Sequence, residues 1–162
     1  MDLFENILNT EKFNDNWELI TDQVMGGKST GNLELVQKNN EIFLRLSGEV
    51  STENNGGFIQ ARKGLKINNT KYSGIKIKVK GTRDDYFIHI RTSMLIFPWQ
   101  YYAAKFKVDK SWGEIRINFE EFSKSNFYQP SSFTSSDIES IAIVAYGKDF
   151  SARVEIKEAE LF

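Results

Sequence analysis

The chain has 162 residues, 40% of them hydrophobic and 27% charged, a length and composition that suit one globular domain able to bury roughly 68–70% of its unfolded surface. Lys and Arg number 21 against 22 Asp and Glu, and the net charge of −1 gives no field to attract nucleic acid or an anionic membrane. With no cysteine, disulfides, thiolate metal sites and cysteine nucleophiles are excluded together.

Residues 1–16 read as a lead-in and 17–162 as the core of one domain. Leu3, Phe4, Ile7 and Leu8 fit either a short amphipathic helix or a strand-like segment over residues 2–9. The start has neither the basic and continuous apolar regions of a secretory signal nor the arginines of a mitochondrial transit peptide. No run approaches ~18 apolar residues. The expectation is a cytoplasmic protein without direct membrane insertion.

From Trp17 the chain runs through Asp22-Gln23-Val24-Met25-Gly26-Gly27-Lys28-Ser29 into an alternating segment that begins at Leu33. The Gly pair marks a turn of defined shape, and Asp22 and Ser29 are available to bond neighbouring amides. Gly27-Lys28-Ser29 is not the end of a phosphate loop. Asp22 stands where the first glycine would be, and the following residues lead into a strand rather than a helix.

Period-two alternation then recurs. Ile42, Leu44 and Leu46 alternate with Phe43 and Arg45, and Ile75, Ile77 and Val79 alternate with Lys76, Lys78 and Lys80, whose lysines mark a solvent face. Further strands are predicted near 85–91, 101–108, 112–119, 139–146 and 152–161, separated by Asn- and Gly-rich turns. Many short strands without a long helix predict an all-β antiparallel sandwich or barrel. Trp17, Trp112 and Phe119 are expected in its core, where truncating Trp112 to Ala would cost about 3–5 kcal/mol. The irregular stretch from Ser123 to Ser136 is long enough that it should pack over something.

Support for catalysis is thin. His89 is the sole histidine, which rules out a multi-histidine metal site and leaves one residue through which any Ser-His-Asp relay would have to pass. No spacing selects an acid pair from Asp22, Glu49, Glu53, Asp84 and Glu120. No aspartate-rich calcium loop is present, and the Asn68-Asn69-Thr70 sequon matters only in a secreted protein. No catalytic residue, metal or cofactor is expected.

A binding face is better supported. If Ile88 and Ile90 point inward, Phe87, His89 and Arg91 point outward together; Phe58, Gln60 and Arg62 share a face, as do Arg116 and Asn118. Trp99, Tyr101 and Tyr102 follow nearby. Arginines and amides beside aromatic rings suit a polar or acidic partner, or a sugar stacked on a ring. An equally weighted alternative is a second core layer covered by loops. The candidate ligand- or partner-binding residues are Asp22, Ser29, Gln60, Arg62, His89, Arg91, Trp99, Tyr101, Arg116 and Asn118.

Trp17 followed by Asp22-x-Val24-Met25-Gly26-Gly27-x-Ser29, Leu46-x-Gly48, Gly56-Gly57-Phe58 with Arg62, Tyr72-x-Gly74-Ile75, Lys80-Gly81 and Trp112 before Ile115-x-Ile117-x-Phe119 together resemble the complex I intermediate-associated protein family. The similarity runs from about residue 17 to the C-terminus. It implies a galactose-binding-like antiparallel jelly-roll β-sandwich, close to carbohydrate-binding modules. Mitochondrial members are assembly chaperones of the respiratory NADH:ubiquinone oxidoreductase and not enzymes. The expectation is therefore a non-catalytic module that binds a protein partner, such as a respiratory-complex subunit or assembly intermediate, through one sheet face. The alternative is carbohydrate binding on the concave face.

Overall fold

The computed structural model describes residues 1–5, 7 and 17–162, so the expectation for residues 2–9 falls partly outside the described residues. Among these, the strands are β1 (Glu18–Thr21), β2 (Thr30–Lys38), β3 (Glu41–Val50), β4 (Phe58–Gly64), β5 (Gly74–Gly81), β6 (Asp84–Thr92), β7 (Tyr102–Val108), β8 (Gly113–Asn118), β9 (Ser123–Lys124), β10 (Ile138–Tyr146) and β11 (Phe150–Leu161). They form a six-stranded sheet in the order β1-β4-β10-β6-β7-β9 and a five-stranded sheet in the order β2-β3-β11-β5-β8. All pairings between these strands are antiparallel. Helical structure among the described residues is confined to short 3-10 turns, and no helix is long and apolar enough to cross a membrane.

Alternation sets which side of each strand enters the core. Leu44, Leu46, Ile75, Ile77, Val79, Val154 and Ile156 from the five-stranded sheet meet Ile59, Ala61, Ile88, Ile90, Ile141 and Ile143 from the six-stranded sheet, all buried. The β2–β3 hairpin turns through Asn39 and Asn40, both at positive φ (52° and 60°), the conformation that two-residue hairpin turns require and asparagine tolerates. A register shift between Ile156 and Glu158 resets the alternation of β11. Glu158 and Glu160 consequently stand opposite Lys78 and Lys76 and form ion pairs with them. At the chain start, Met1 and Leu3 bond the backbone of β11, and Leu3 is buried.

The Ser123–Ser136 stretch closes one end of the core. Phe133 packs on Tyr102, Phe119 and Phe122 with ring centroids 4.7, 5.3 and 6.2 Å away, and Ser135 Oγ donates to the Asn69 carbonyl. Tyr102 is therefore an interior residue, its hydroxyl donating to the Pro130 carbonyl.

Trp17 and Phe119 are buried as expected, but Trp112 is not in the sandwich core. It is half-buried on the outer side of the five-stranded sheet, edge-on to Phe43 at 5.7 Å, with Lys157 Nζ 4.5 Å and Lys80 Nζ 4.8 Å from its ring centroid. The reason is parity. Trp112 stands an odd number of positions before Ile115 and Ile117, so an extended chain turns it to the opposite side. The expected cost of Trp112→Ala falls to about 1–2 kcal/mol, from lost cation–π contacts and partial apolar burial, whereas Trp17→Ala should cost about 3–5 kcal/mol. Urea unfolding of the two variants checks this order.

Candidate functional site

The stretch after β1 folds into a knot around one carboxylate. Thr21 Oγ1 accepts from Gln23 N and caps a 3-10 turn, Asp22–Met25, which ends at Gly26 with φ 83°. Asp22 is fully buried. Its Oδ1 accepts from Ser29 N at 2.9 Å; its Oδ2 accepts from Ser29 Oγ and Gly57 N, both at 2.6 Å, and from Phe58 N at 3.4 Å. A Cβ on Gly27 or Gly56 would overlap this carboxylate, so both glycines are needed for close approach rather than for an unusual φ. Burial alone would raise the Asp22 pKa, but the donated hydrogen bonds outweigh it and hold the carboxyl below its ordinary value. Asp22 and Ser29 thus tie the β1–β2 turn to the β3–β4 loop from inside and do not reach the outer sheet face.

Gln60, Arg62, His89, Arg91 and Tyr101 are brought together on the outer face of the six-stranded sheet. One row across the strands reads Glu18, Arg62, Ala142, His89, Ala103 and Ser123. His89 is flanked in this row by two alanines, Ala142 and Ala103. The next row holds Ile20, Gln60, Val144, Phe87 and Lys105.

The His89 ring stacks on Tyr101 at 4.0 Å and 9°, while Tyr146 lies edge-on to His89 and Phe87 at 6.0 and 5.7 Å. His89 Nε2 is buried without a hydrogen-bond partner. Burial lowers the His89 pKa to about 4, so the ring is neutral at pH 7. Burial, reinforced by the Tyr146 hydroxyl beside it, pushes Tyr101 up to about 12.

Two loops border this face, and each is organised by a buried glutamine. Gln100 Oε1 accepts from Ile96 N and Phe97 N, both at 3.0 Å. Arg91 Nη1 donates to the carbonyls of Pro98 and Gln100, each at 2.6 Å, and of Phe97 at 3.3 Å. Burial, and then the positive charge of Arg62, lower the Arg91 pKa. The mounted loop presents Ile96 and a stacked Phe97–Trp99 pair, with Trp99 63% exposed. In the second loop Gln129 Oε1 accepts from Ser125 Oγ and Asn126 N, and Gln129 Nε2 donates to the Tyr101 carbonyl. This loop exposes Phe127 and Tyr128.

Arg116 and Asn118 do not join the face. They lie on β8 in the other sheet, where the Arg116 guanidinium sits 3.6 Å over the Phe162 ring and Asn118 N donates to Glu121 Oε2. On the outer face of that sheet buried Glu155 meets Arg45, Lys80 and Arg153, and Lys157 pairs with Glu41, while Arg45 Nε and Glu155 Oε2 are buried without a hydrogen-bond partner. Arg62 is likewise held, by Glu18 Oε1 at 2.8 Å. Sequence reasoning missed Tyr146, Gln100, Gln129, Phe127 and Tyr128. Tyr146 was within reach of it, since it shares a face with Val144 at the end of a predicted strand. Among the described residues no group of three His, Asp or Glu side chains is placed to hold a metal ion.

A family model described as complex I intermediate-associated protein 30 matches residues 6–156. No curated protein matches the chain. Among solved structures, the chain is similar to the family 11 carbohydrate-binding module of a cellulosomal cellulase of Clostridium thermocellum, at 18% identity and TM-score 0.73, with 91% of this chain and 87% of that one covered. The same module in complex with a β-1,3-1,4-mixed-linked tetrasaccharide matches with the same score and identity, covering 91% and 88%. A family 4 module is similar at 14% identity and TM-score 0.56, covering 90% and 84%. The shared architecture is the jelly-roll sandwich.

Proposed function

This chain belongs to the complex I intermediate-associated protein 30 family, and from that premise we propose that it is a non-catalytic module that binds a protein partner on the outer face of its six-stranded sheet. The observation that carries this reading is the rigidly mounted apolar rim of that face. Trp99, Ile96, Phe127 and Tyr128 are exposed, yet the loops that bear them are pinned by Arg91, Gln100 and Gln129. Exposed aromatic surface on ordered supports is what a protein interface uses, because little conformational freedom is lost on docking. A subunit or assembly intermediate of a respiratory complex is the partner class that the family suggests.

The cluster of rings around His89 favours a second reading, carbohydrate binding. Tyr101 and Tyr146 could lie against sugar C–H faces while Gln60 and Arg62 bond hydroxyls. The protein reading ranks first because the most exposed rings stand on the rim loops and not in the cluster around His89.

Capture from the native host, followed by calorimetry with the purified partner, tests the choice. Trp99→Ala and Tyr101→Ala are each expected to weaken partner binding tenfold or more, about 1.4 kcal/mol, with mixed-linkage glucan oligosaccharides producing no heat and no shift of the His89 or Tyr101 resonances. Saturable glucan binding that these variants abolish, without a protein partner, would replace the first reading with the second.

A further inference from the structure

The knot around Asp22 explains half of the most distinctive motif in the chain. Asp22, Gly27 and Ser29 are interior parts of a hydrogen-bonded cluster, and Gly26 supplies the left-handed cap. Val24 and Met25, between them, take no part in it: they are 75% and 61% exposed. Two adjacent apolar side chains are thus held outward on a turn fastened at both ends, with Gln23 Nε2 donating to the Ser29 carbonyl and Asn54 Nδ2 to the Gly26 carbonyl. The neighbouring exposed residues are Lys28 from the turn and Glu53, Asn54 and Asn55 from the β3–β4 loop.

We propose that Val24 and Met25 form an apolar anchor that inserts into a hydrophobic pocket of a folded protein partner. The inference rests on the reading above that the chain binds a protein, and it adds a second contact point. An apolar centre ringed by polar residues of both signs is the anatomy of a protein interface. An anionic membrane would call for several cations around the apolar tip, and the turn offers Lys28 beside Glu53.

Methionine suits an inserted anchor because its unbranched, polarisable side chain adapts to an irregular pocket. Two side chains are too small a surface to make an interface alone. The turn, however, follows directly from Thr21, which pairs with Ile59, and Asp22 bonds Gly57 and Phe58. Phe58 in turn pairs with Tyr146 of the aromatic cluster. The anchor therefore adjoins one end of the candidate face, while the Trp99 loop lies at the other, beyond Thr92 at the end of β6.

The test places a photo-crosslinking amino acid at Met25 or, separately, at Trp99 in the full chain in its native host. The captured protein is identified, purified and titrated against wild type and against the Val24→Asp/Met25→Asp and Val24→Ser/Met25→Ser doubles. Capture of one partner from both positions, with affinity lowered at least tenfold in both doubles and Tm unchanged, supports the anchor. Capture from Met25 alone with the same loss of affinity also supports it, and removes the Trp99 end from the interface. Capture from Trp99 alone, or wild-type affinity in the doubles, overturns the anchor and leaves the protein-binding reading standing. Capture from neither position overturns both. A fall in Tm in both doubles overturns the anchor by showing that the pair supports the turn. Co-sedimentation with phosphatidylglycerol vesicles that is lost in the doubles overturns it in favour of a membrane contact.

Discussion

Replacing Asp22 with alanine is expected to lower the unfolding free energy by about 3–5 kcal/mol, a large share of the roughly 5–15 kcal/mol that holds a domain of this size together. The magnitude follows from what the carboxylate leaves behind. Ser29 N–H, Gly57 N–H and the Ser29 hydroxyl all donate to it in the interior, and each buried donor left unpaired costs about 1–3 kcal/mol. Asp22→Asn should rescue little of this. One carboxamide oxygen replaces two acceptors, and its NH2 group would face an N–H donor. Urea midpoints near those of wild type for both variants would show that the knot is replaceable.

The same carboxylate sets an acid limb. Its pKa is depressed in the folded chain below the ordinary 3.8, so the native state binds fewer protons than the unfolded state there. The stabilisation is complete above about 3.8 and disappears as pH falls through the folded value. Asp22→Asn should therefore lose stability at pH 7 but decline less steeply than wild type in strong acid.

The alternation of Ile88 and Ile90 with His89 and Arg91, or of the β5 isoleucines with lysines, is a local property of an extended backbone, so strand positions and inward faces were readable from the sequence. Alternation assigns a residue to a side of its own strand and says nothing of the sheet that strand joins. Arg116 and Asn118 consequently looked like companions of His89 although β8 pairs with β5 in the other sheet. Trp112 departs from the expected core for a different reason: its odd spacing from Ile115 turns a large apolar ring to the outer side of the sheet. The loop mounts were not readable at all. Nothing near Gln100 or Gln129 announces that their amides will fold inward and organise loops, because those bonds exist only once Arg91 and Tyr101 are set by the sheet. In the Asp22–Ser29 motif the turn and the bonds of Asp22 to neighbouring amides were legible, whereas its contact with the distant Gly57 and the outward set of Val24 and Met25 arise only when β4 pairs with β1.

Between pH 6.5 and about 4, wild type is expected to lose up to about 3 kcal/mol of stability that a His89→Phe variant does not lose. Burial depresses the His89 pKa from 6.5 to about 4, so across that window the unfolded chain binds a proton that the folded chain refuses. Stability is complete above 6.5 and levels off below about 4. Burial is the cause of the shift, and the nearest cation across the row, Arg62 beyond Ala142, is paired with Glu18. Phenylalanine keeps a ring against Tyr101 without a titrating nitrogen, so the difference between the two chains isolates His89 from the carboxylates that titrate lower. Urea midpoints at pH 7 and 4.5, with the imidazole Cε1 proton followed by NMR, measure it. An imidazole titrating near 6.5 would mean that water reaches Nε2. A value near 4 means that the centre of the proposed interface carries no charge across this range. A partner would then meet a neutral ring whose Nε2 is turned away from the surface, and the rim residues Trp99 and Tyr128 would supply most of the apolar contact.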